Sequence, residues 1–438
     1  METSLNIVQI ILSIVLITVI LIQVRGSAGN LFGGGESSFR TRRGVDLVLF
    51  RFTIFVGVLF VWYLTFQYII LYEFEMLRFS IPIILWMLYF WEKKSLKPFF
   101  LFVLLATLVR EEVGLTITMF GCYVILIEKK YRLGIVTALI GLVAFGIITQ
   151  VIMPFLRTTP EYTHIAANSF SIFGSTISEI FFSVITHPVL ALKTIIHPIK
   201  LANIFMMFLP LLFIPLLAPG VMICTIANFG VLLLSDSLTH SSYMLFYVSP
   251  SIPFVFYAFI KGWPKFTDII SRFSDKMRAE KYENRTSVAM GMVISGLLIV
   301  NVFFGPSLIS LQFWFPDLRP APFRTQNFNY SAYSIKKHHL NAFDFLKYIP
   351  ESGIISAPQY LHPILYKKKV AMVFPKLISD DGTLKAGYVF LDKTNNGLKS
   401  HSPAYITQKV INIIERDKTN WELLHSQDGY FLFKRKTL

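Results

Sequence analysis

The chain has 438 residues, of which 54% are hydrophobic and only 15% charged, and its mean hydropathy is +0.58. Soluble globular domains carry about 25% charged residues, so composition argues against a soluble fold for the whole chain. The net charge of +15 lies mostly in short loops with no recognition motif beside it, which argues against a nucleic-acid partner.

The apolar residues fall in runs broken by short charged loops, the pattern of membrane-spanning helices rather than of a β-barrel. The expected fold is mainly α: a polytopic α-helical membrane protein of about ten transmembrane helices, with a small C-terminal extracytoplasmic α/β domain. The predicted spans are 5–24, 46–71, 77–91, 98–109, 113–127, 134–156, 200–217, 220–235, 241–260 and 287–310. The first run follows Glu2 and no basic segment, and it is longer than a signal-peptide core, so it reads as a retained span.

Basic residues orient the spans. Arg25, Arg40, Arg42 and Arg43 face one acidic residue, Glu36, in the first loop. Lys93, Lys94 and Lys97 dominate the 92–97 loop, and Lys129, Lys130 and Arg132 the 128–132 loop. The 261–286 loop has seven basic residues against four acidic ones. Alternation through ten spans puts all four loops on one side, the cytoplasmic one. It leaves both termini, Glu73, Glu75, Arg110-Glu111-Glu112, the 157–199 loop and the Ser235–Ser242 loop outside. Within 157–199, the stretch from Ile177 to Ile196 reads either as amphipathic helices on the outer surface or as a folded loop.

Pro316, Pro320 and Pro322 mark a linker. Beyond it, Lys336–Tyr348 and Ile406–Arg416 read as helices. Gly353–Ser356, Val370–Phe374 and Gly387–Leu391 read as short strands, and Trp421–Lys434 as a hairpin turning at Asp428-Gly429. The expected divisions are 1–71, 72–310, a 311–334 linker and 335–438. Cys122 and Cys224 lie inside apolar runs, with no disulfide framework or metal spacing. No Walker loop, dinucleotide fingerprint, zinc spacing or serine elbow is present.

The first 65 residues carry the most specific pattern. METSLNIVQIILSIVLITVILIQVRG leads into LFGGGESSFRTRRG and then VDLVLFRFTIFVGVLFV. Gln23, Arg25 and Gly26 form the exit of the first span. Gly33, Gly34 and Gly35 form a turn whose backbone can lie close to a partner, and Arg40, Arg42 and Arg43 anchor the second span at an anionic leaflet. This segment resembles SecG, the two-span subunit of the bacterial export channel. The resemblance implies an inner-membrane hairpin that packs beside SecY/SecE-type channel subunits, assists translocation driven by the motor ATPase, and has no catalytic residue. A SecG chain normally ends soon after its second span; this one continues.

From about Tyr72 the chain resembles an uncharacterised family of multispan membrane proteins with GT-C glycosyltransferase architecture. YEFEMLRFSIPIILWMLYFWEKK, LVREEVGLTITMFGCYVILIEKKYRLG, FGSTISEIFFSVITHP, FLPLLFIPLLAPG, SDSLTHSSYMLFYVSPSIPF and ESGIISAPQYLHPILYKKKVAMVFP carry it, over most of 72–395. It implies sugar transfer from a polyprenyl-phosphate donor in membrane lipid, with an outer carboxylate as general base or divalent-metal ligand. Glu73, Glu75, Glu111, Glu112 and Asp236 are the candidate carboxylates, and Arg110, His164 and His240 the candidate lipid-phosphate ligands. The competing reading of Arg110-Glu111-Glu112 is an ion pair capping two short helices. The SecG-like hairpin stands where such an enzyme has its first spans and key acidic loop, which implies a shortened body. His338, His339 and His362 read as surface or core histidines without ligand-spaced partners.

Overall fold

A computed structural model describes residues 51–71, 75–156, 169–238, 240–272, 282–316, 329–330, 334–374, 376–379, 382–392 and 420–436. The expectations for 5–24, for the glycine and arginine loop, for Glu73, for His164 and for the 406–416 helix lie outside these residues. The chain divides into two units, Met1–Arg324 and Thr325–Leu438.

The first unit is helical. A run broken at Tyr63 opens it: α1 (Arg51–Trp62) and α2 (Leu64–Leu71) meet at 49°. The break frees the Trp62 carbonyl, which accepts from Gln67 Nε2 at 3.0 Å and Asn301 Nδ2 at 3.1 Å. Side chains thus replace a lost helical hydrogen bond, as a kink in an apolar setting requires. α3 (Ser80–Glu92), α4 (Leu96–Thr107), α5 (Glu111–Leu126) and α6 (Tyr131–Phe155) then run back and forth through tight corners. Lys94 and Lys129 adopt φ of 56° and 55° in two of those corners.

α5 and α6 pack through glycines. A Cβ on Gly121 would lie 2.5 Å from the backbone nitrogen of Ala138, and one on Gly141 would strike the Gly114 carbonyl. Such close approach is how membrane helices gain dispersion contact without a hydrophobic drive between them. α7 (Ile177–Thr186) starts in a capping box: Thr176 Oγ1 accepts from Glu179 N, and the Glu179 carboxylate reaches back to the Thr176 amide. It meets α8 (Pro188–Ile195) at 97°. Phe181, Phe182, Ile185, Val189 and Leu192 are exposed along this pair.

α9 (Pro198–Phe208) and α10 (Ile226–Leu234) flank a broken stretch of short 3-10 turns around Pro210, Pro215 and Pro219. α11 (Ile252–Arg272) and α12 (Tyr282–Phe304) complete the unit.

The expectation of about ten spanning helices needs correction here. Among the described residues, two helices, Tyr131–Phe155 and Arg285–Phe304, are long and apolar enough to cross a membrane, or four if each bent pair counts as one. α3, at 13 residues, is about 20 Å long at 1.5 Å per residue, against a hydrocarbon core of about 30 Å. The prolines and tight corners cut predicted runs into pieces of this size.

The second unit has a five-stranded sheet of order β2-β1-β3-β5-β4. β1 (Ile354–Ala357) is parallel to β2 (Val370–Val373) and to β3 (Tyr388–Asp392). β5 (Tyr430–Arg435) is antiparallel to β3 and to β4 (Trp421–Gln427). Phe390 faces one core with Phe345, Ile355 and Leu432, while Val389 and Leu391 face another with Trp421 and Phe433. That is the two-residue period of a sheet buried on both faces. The hairpin turns at Asp428 and Gly429, both at positive φ (51° and 80°), as a two-residue type I′ turn needs. α13 (Lys337–Asp344) packs ahead of β1.

Candidate functional site

The helical unit has two chemically distinct ends. At one, the 92–97, 128–132 and 261 segments meet. Glu92 at the end of α3 pairs with Lys261 at 2.8 Å and accepts a short hydrogen bond from the Tyr257 hydroxyl. Glu128 accepts from the Tyr123 hydroxyl at 2.9 Å and pairs with Lys130 at 3.0 Å, while Lys130 Nζ lies 4.4 Å from the Trp91 ring. Lys265 Nζ donates to the Leu217 carbonyl at 2.9 Å. Three of the four predicted basic loops therefore share one end, and the fourth, 25–43, lies outside the described residues.

The other end collects the predicted site residues. Arg110 precedes α5, and its Nε lies 3.8 Å from Glu111 Oε1, a loose ion pair. Glu111 and Glu112 form the first turn of α5, where a helix N-terminus favours carboxylates. Glu75, Glu111 and Arg110 all lie close enough to act electrostatically on Glu112. Glu112 Oε1 is sealed from solvent and has no hydrogen-bond partner among the described residues. An unsatisfied buried carboxylate oxygen is costly, so it needs a reason beyond capping.

A second group joins from the 235–247 segment. The Arg110 guanidinium sits 5.8 Å from the Tyr247 ring, and the His240 ring 4.6 Å from the same tyrosine. His240 Nδ1 lies 2.7 Å from Ser235 Oγ. Burial, and then the charge of Arg110, hold the His240 imidazole below its ordinary value, so it is neutral near pH 7 and able to accept a proton.

Asp236 does a different job. Its Oδ2 accepts from Ser171 Oγ at 2.7 Å and from the Ile172 amide at 3.2 Å, while its own amide donates to the Ser169 carbonyl. It ties the 169–172 segment to the 235–240 loop. Beside it Lys200, only 2% exposed, donates to the carbonyls of Thr194, Leu233 and Ser235 at 2.6–2.9 Å. Those carbonyls end α8 and α10, and an ammonium there satisfies groups the helices leave unpaired.

The structure thus brings together Glu75, Arg110, Glu111, Glu112 and His240, and sets Asp236 in the adjoining scaffold. Glu73 and His164 are outside the described residues. Sequence reasoning missed Tyr247, which bridges Arg110 and His240, and Lys200. An aromatic or a lone lysine in an apolar run carries no pattern that separates it from core or topology.

The second unit holds a further cluster. His338 Nδ1 lies 2.9 Å from Asp428 Oδ2, its Nε2 lies 3.1 Å from Asp392 Oδ2, and its ring stacks on Tyr430 at 4.2 Å. These carboxylate partners lie 54 and 90 residues from His338, so sequence spacing does not show them.

The comparisons with known proteins place these features. A family model for the preprotein translocase SecG subunit matches residues 2–73. A second, for a predicted membrane protein family (DUF2079), matches residues 46–432, so the two share 46–73. No curated protein and no solved structure matches the chain. The second match covers both the helical unit and the sheet, and the chain accordingly belongs to the DUF2079 family of predicted membrane proteins, with a SecG segment at its N-terminal end.

Proposed function

We propose that this chain is a SecG-type subunit of the bacterial protein-export channel, carried on a DUF2079 body in the inner membrane. The observation that supports it is the SecG match over residues 2–73, which includes the glycine turn and the arginine run. Its partners are then SecY/SecE-type channel subunits, the motor ATPase and membrane lipid. In this reading the basic end faces the cytoplasm, with the carboxylate end and both termini outside.

The informative deletion removes residues 1–45 and stops there, because α1 and α2 supply buried side chains to the body. Export of a secreted reporter should slow while the truncated protein still inserts. Unchanged export kinetics would overturn the proposal.

The cluster at the carboxylate end favours a second reading, a GT-C-type transfer of sugar from a polyprenyl-phosphate donor. Arg110 would hold the phosphate through a forked, charge-assisted contact. Glu112, whose Oε1 has no partner among the described residues, would take the acceptor proton. Among the described residues no three His, Cys, Asp or Glu are grouped to hold a metal. Glu112→Gln should lower transfer from a labelled polyprenyl-phosphate sugar by about 100-fold or more. Wild-type transfer rates in that variant would remove the second reading and leave the first untouched.

A further inference from the structure

The loop that carries His240 is fixed by its own hydrogen bonds. The Ser235 carbonyl accepts from the buried Lys200 ammonium at 2.8 Å, and the Asp236 amide donates to the Ser169 carbonyl at 2.7 Å. The Ser237 amide donates back to Ser235 Oγ at 3.2 Å, and the His240 amide donates to the Ser237 carbonyl at 3.3 Å. Lys200 also donates to the Thr194 and Leu233 carbonyls, so each of its three protons has an acceptor. Ser235 is fully buried, and both its backbone and its hydroxyl are held.

That hydroxyl decides which nitrogen of His240 carries a proton. A hydroxyl gives one proton and can accept two, while a neutral imidazole has one donating and one accepting nitrogen. Ser235 Oγ already accepts from the Ser237 amide, and its other contact is His240 Nδ1 at 2.7 Å. Were the imidazole proton on Nδ1, Oγ would accept twice. Its own buried proton would then lack an acceptor among the described residues, which is costly. With Oγ donating to Nδ1, every group is satisfied, and the imidazole proton sits on Nε2. Nε2 has no hydrogen-bond partner among the described residues.

We propose that Ser235 is a positioning residue that holds His240 as a fixed Nε2–H donor beside Arg110, so that imidazole and guanidinium together bind one oxyanion. Both groups lie against the Tyr247 ring, His240 at 4.6 Å and Arg110 at 5.8 Å. Tyr247 is itself anchored: its carbonyl accepts from Asn228 Nδ2 at 3.2 Å, and Asn228 Oδ1 accepts from Ser251 Oγ at 2.7 Å. Arg110 supplies the charge. A neutral imidazole adds a directed donor without the repulsion that an imidazolium would bring to the guanidinium. The one nitrogen of His240 able to accept a proton is turned to Ser235, so His240 is not the base of the reaction, and proton removal falls to a carboxylate. Ser235 Oγ, buried and bonded on two sides, is not a nucleophile. Naming the oxyanion as the phosphate of a polyprenyl-phosphate sugar rests on the sugar-transfer reading; the tautomer does not.

Nitrogen NMR of the full-length chain in lipid bilayers, with isotope-labelled histidine, tests the tautomer. The His240 signals are identified by their loss in His240→Gln. Nε2 should resonate as a protonated nitrogen and Nδ1 as a bare one that accepts a hydrogen bond. Ser235→Ala should shift Nδ1, because its donor is gone. A proton on Nδ1 in the wild-type chain, or an Nδ1 signal unmoved by Ser235→Ala, would overturn the proposal. Transfer from a labelled polyprenyl-phosphate sugar tests what the donor does. His240→Ala should raise KM for that sugar about 10-fold or more with little change in kcat, the loss of one hydrogen bond to a charged group. His240→Gln, whose side-chain amide donates from a similar position, should recover part of that loss. An equal fall in kcat in both variants at unchanged KM would mark a base and overturn the proposal. A wild-type chain that transfers nothing removes the sugar-transfer reading, and the NMR result then decides the proposal by itself.

Discussion

Glu111 and Glu112 adjoin in sequence, yet their substitutions should separate. Glu111 pairs loosely with Arg110 in the first turn of α5, so Glu111→Gln should cost about 0.3–1 kcal/mol, the value of a charge at a helix N-terminus. Glu112 carries a buried oxygen without a partner among the described residues, and Glu112→Gln should leave stability unchanged or raise it, as at sites that trade stability for function. Thermal unfolding in detergent reads both. A clear loss of stability in Glu112→Gln would return the pair to a plain helix cap.

His338 gives a pH dependence with a definite sign. Burial alone would lower its imidazole, but hydrogen bonds and charge from Asp392 and Asp428 outweigh that, and the net shift is upward. Its contribution is therefore complete below the unfolded value of about 6.5 and is lost as pH rises through the raised folded value. Asp428 is held below its ordinary value, first by its hydrogen bond to His338 and then by that to Asn341. Its contribution is present above about 3.9 and lost as pH falls through the folded value. Hydrogen exchange at β3 and the 428–429 turn, corrected for intrinsic rates, should be slowest between about pH 4 and 6.5. His338→Gln should flatten the alkaline limb. An unchanged profile in that variant would contradict the assignment.

The two clusters differ in how legible they were. Arg110-Glu111-Glu112 stood out because three charges in an apolar run are expensive. His338 did not, because its partners lie 54 and 90 residues away and only sheet topology brings them close.

At the scale of elements, the α5–α6 pair is held by glycine contact, and no larger side chain fits. Gly141→Ala forces a methyl against the Gly114 carbonyl and should destabilise by about 1–3 kcal/mol, the cost of overpacking. Gly57→Ala, facing open space, is the control. Equal melting temperatures for the two would contradict the packing account. Hydrophobic runs marked where helices lie, and Asp428-Gly429 marked the hairpin. Length was misjudged where Pro210 and Pro215 interrupt the run predicted as one span over 200–217. The kink at Tyr63 was not legible either, because the groups that support it, Gln67 and Asn301, include one from a distant helix.

For the whole molecule, the overlap of the two family matches at 46–73 has a structural counterpart. Tyr63 donates to the Met207 carbonyl at 2.8 Å, and Phe55, Leu59, Tyr63, Leu64 and Tyr68 are buried among body helices. The second SecG span is also the first described helix of the body, whereas the sequence division at residue 71 treats them as separate pieces. The same arrangement predicts sidedness. Lys94→Cys and Lys129→Cys should label from the cytoplasm and Ser237→Cys from outside, in a background with Cys122 and Cys224 replaced. Labelling of Ser237→Cys from the cytoplasm would invert the topology.

The most direct test of the central claim is to purify the full-length protein in mild detergent and identify what accompanies it by mass spectrometry. The account predicts an intact chain of 50.2 kDa that retains the channel subunits. An intact chain that emerges without them, under conditions that preserve the channel itself, would contradict it.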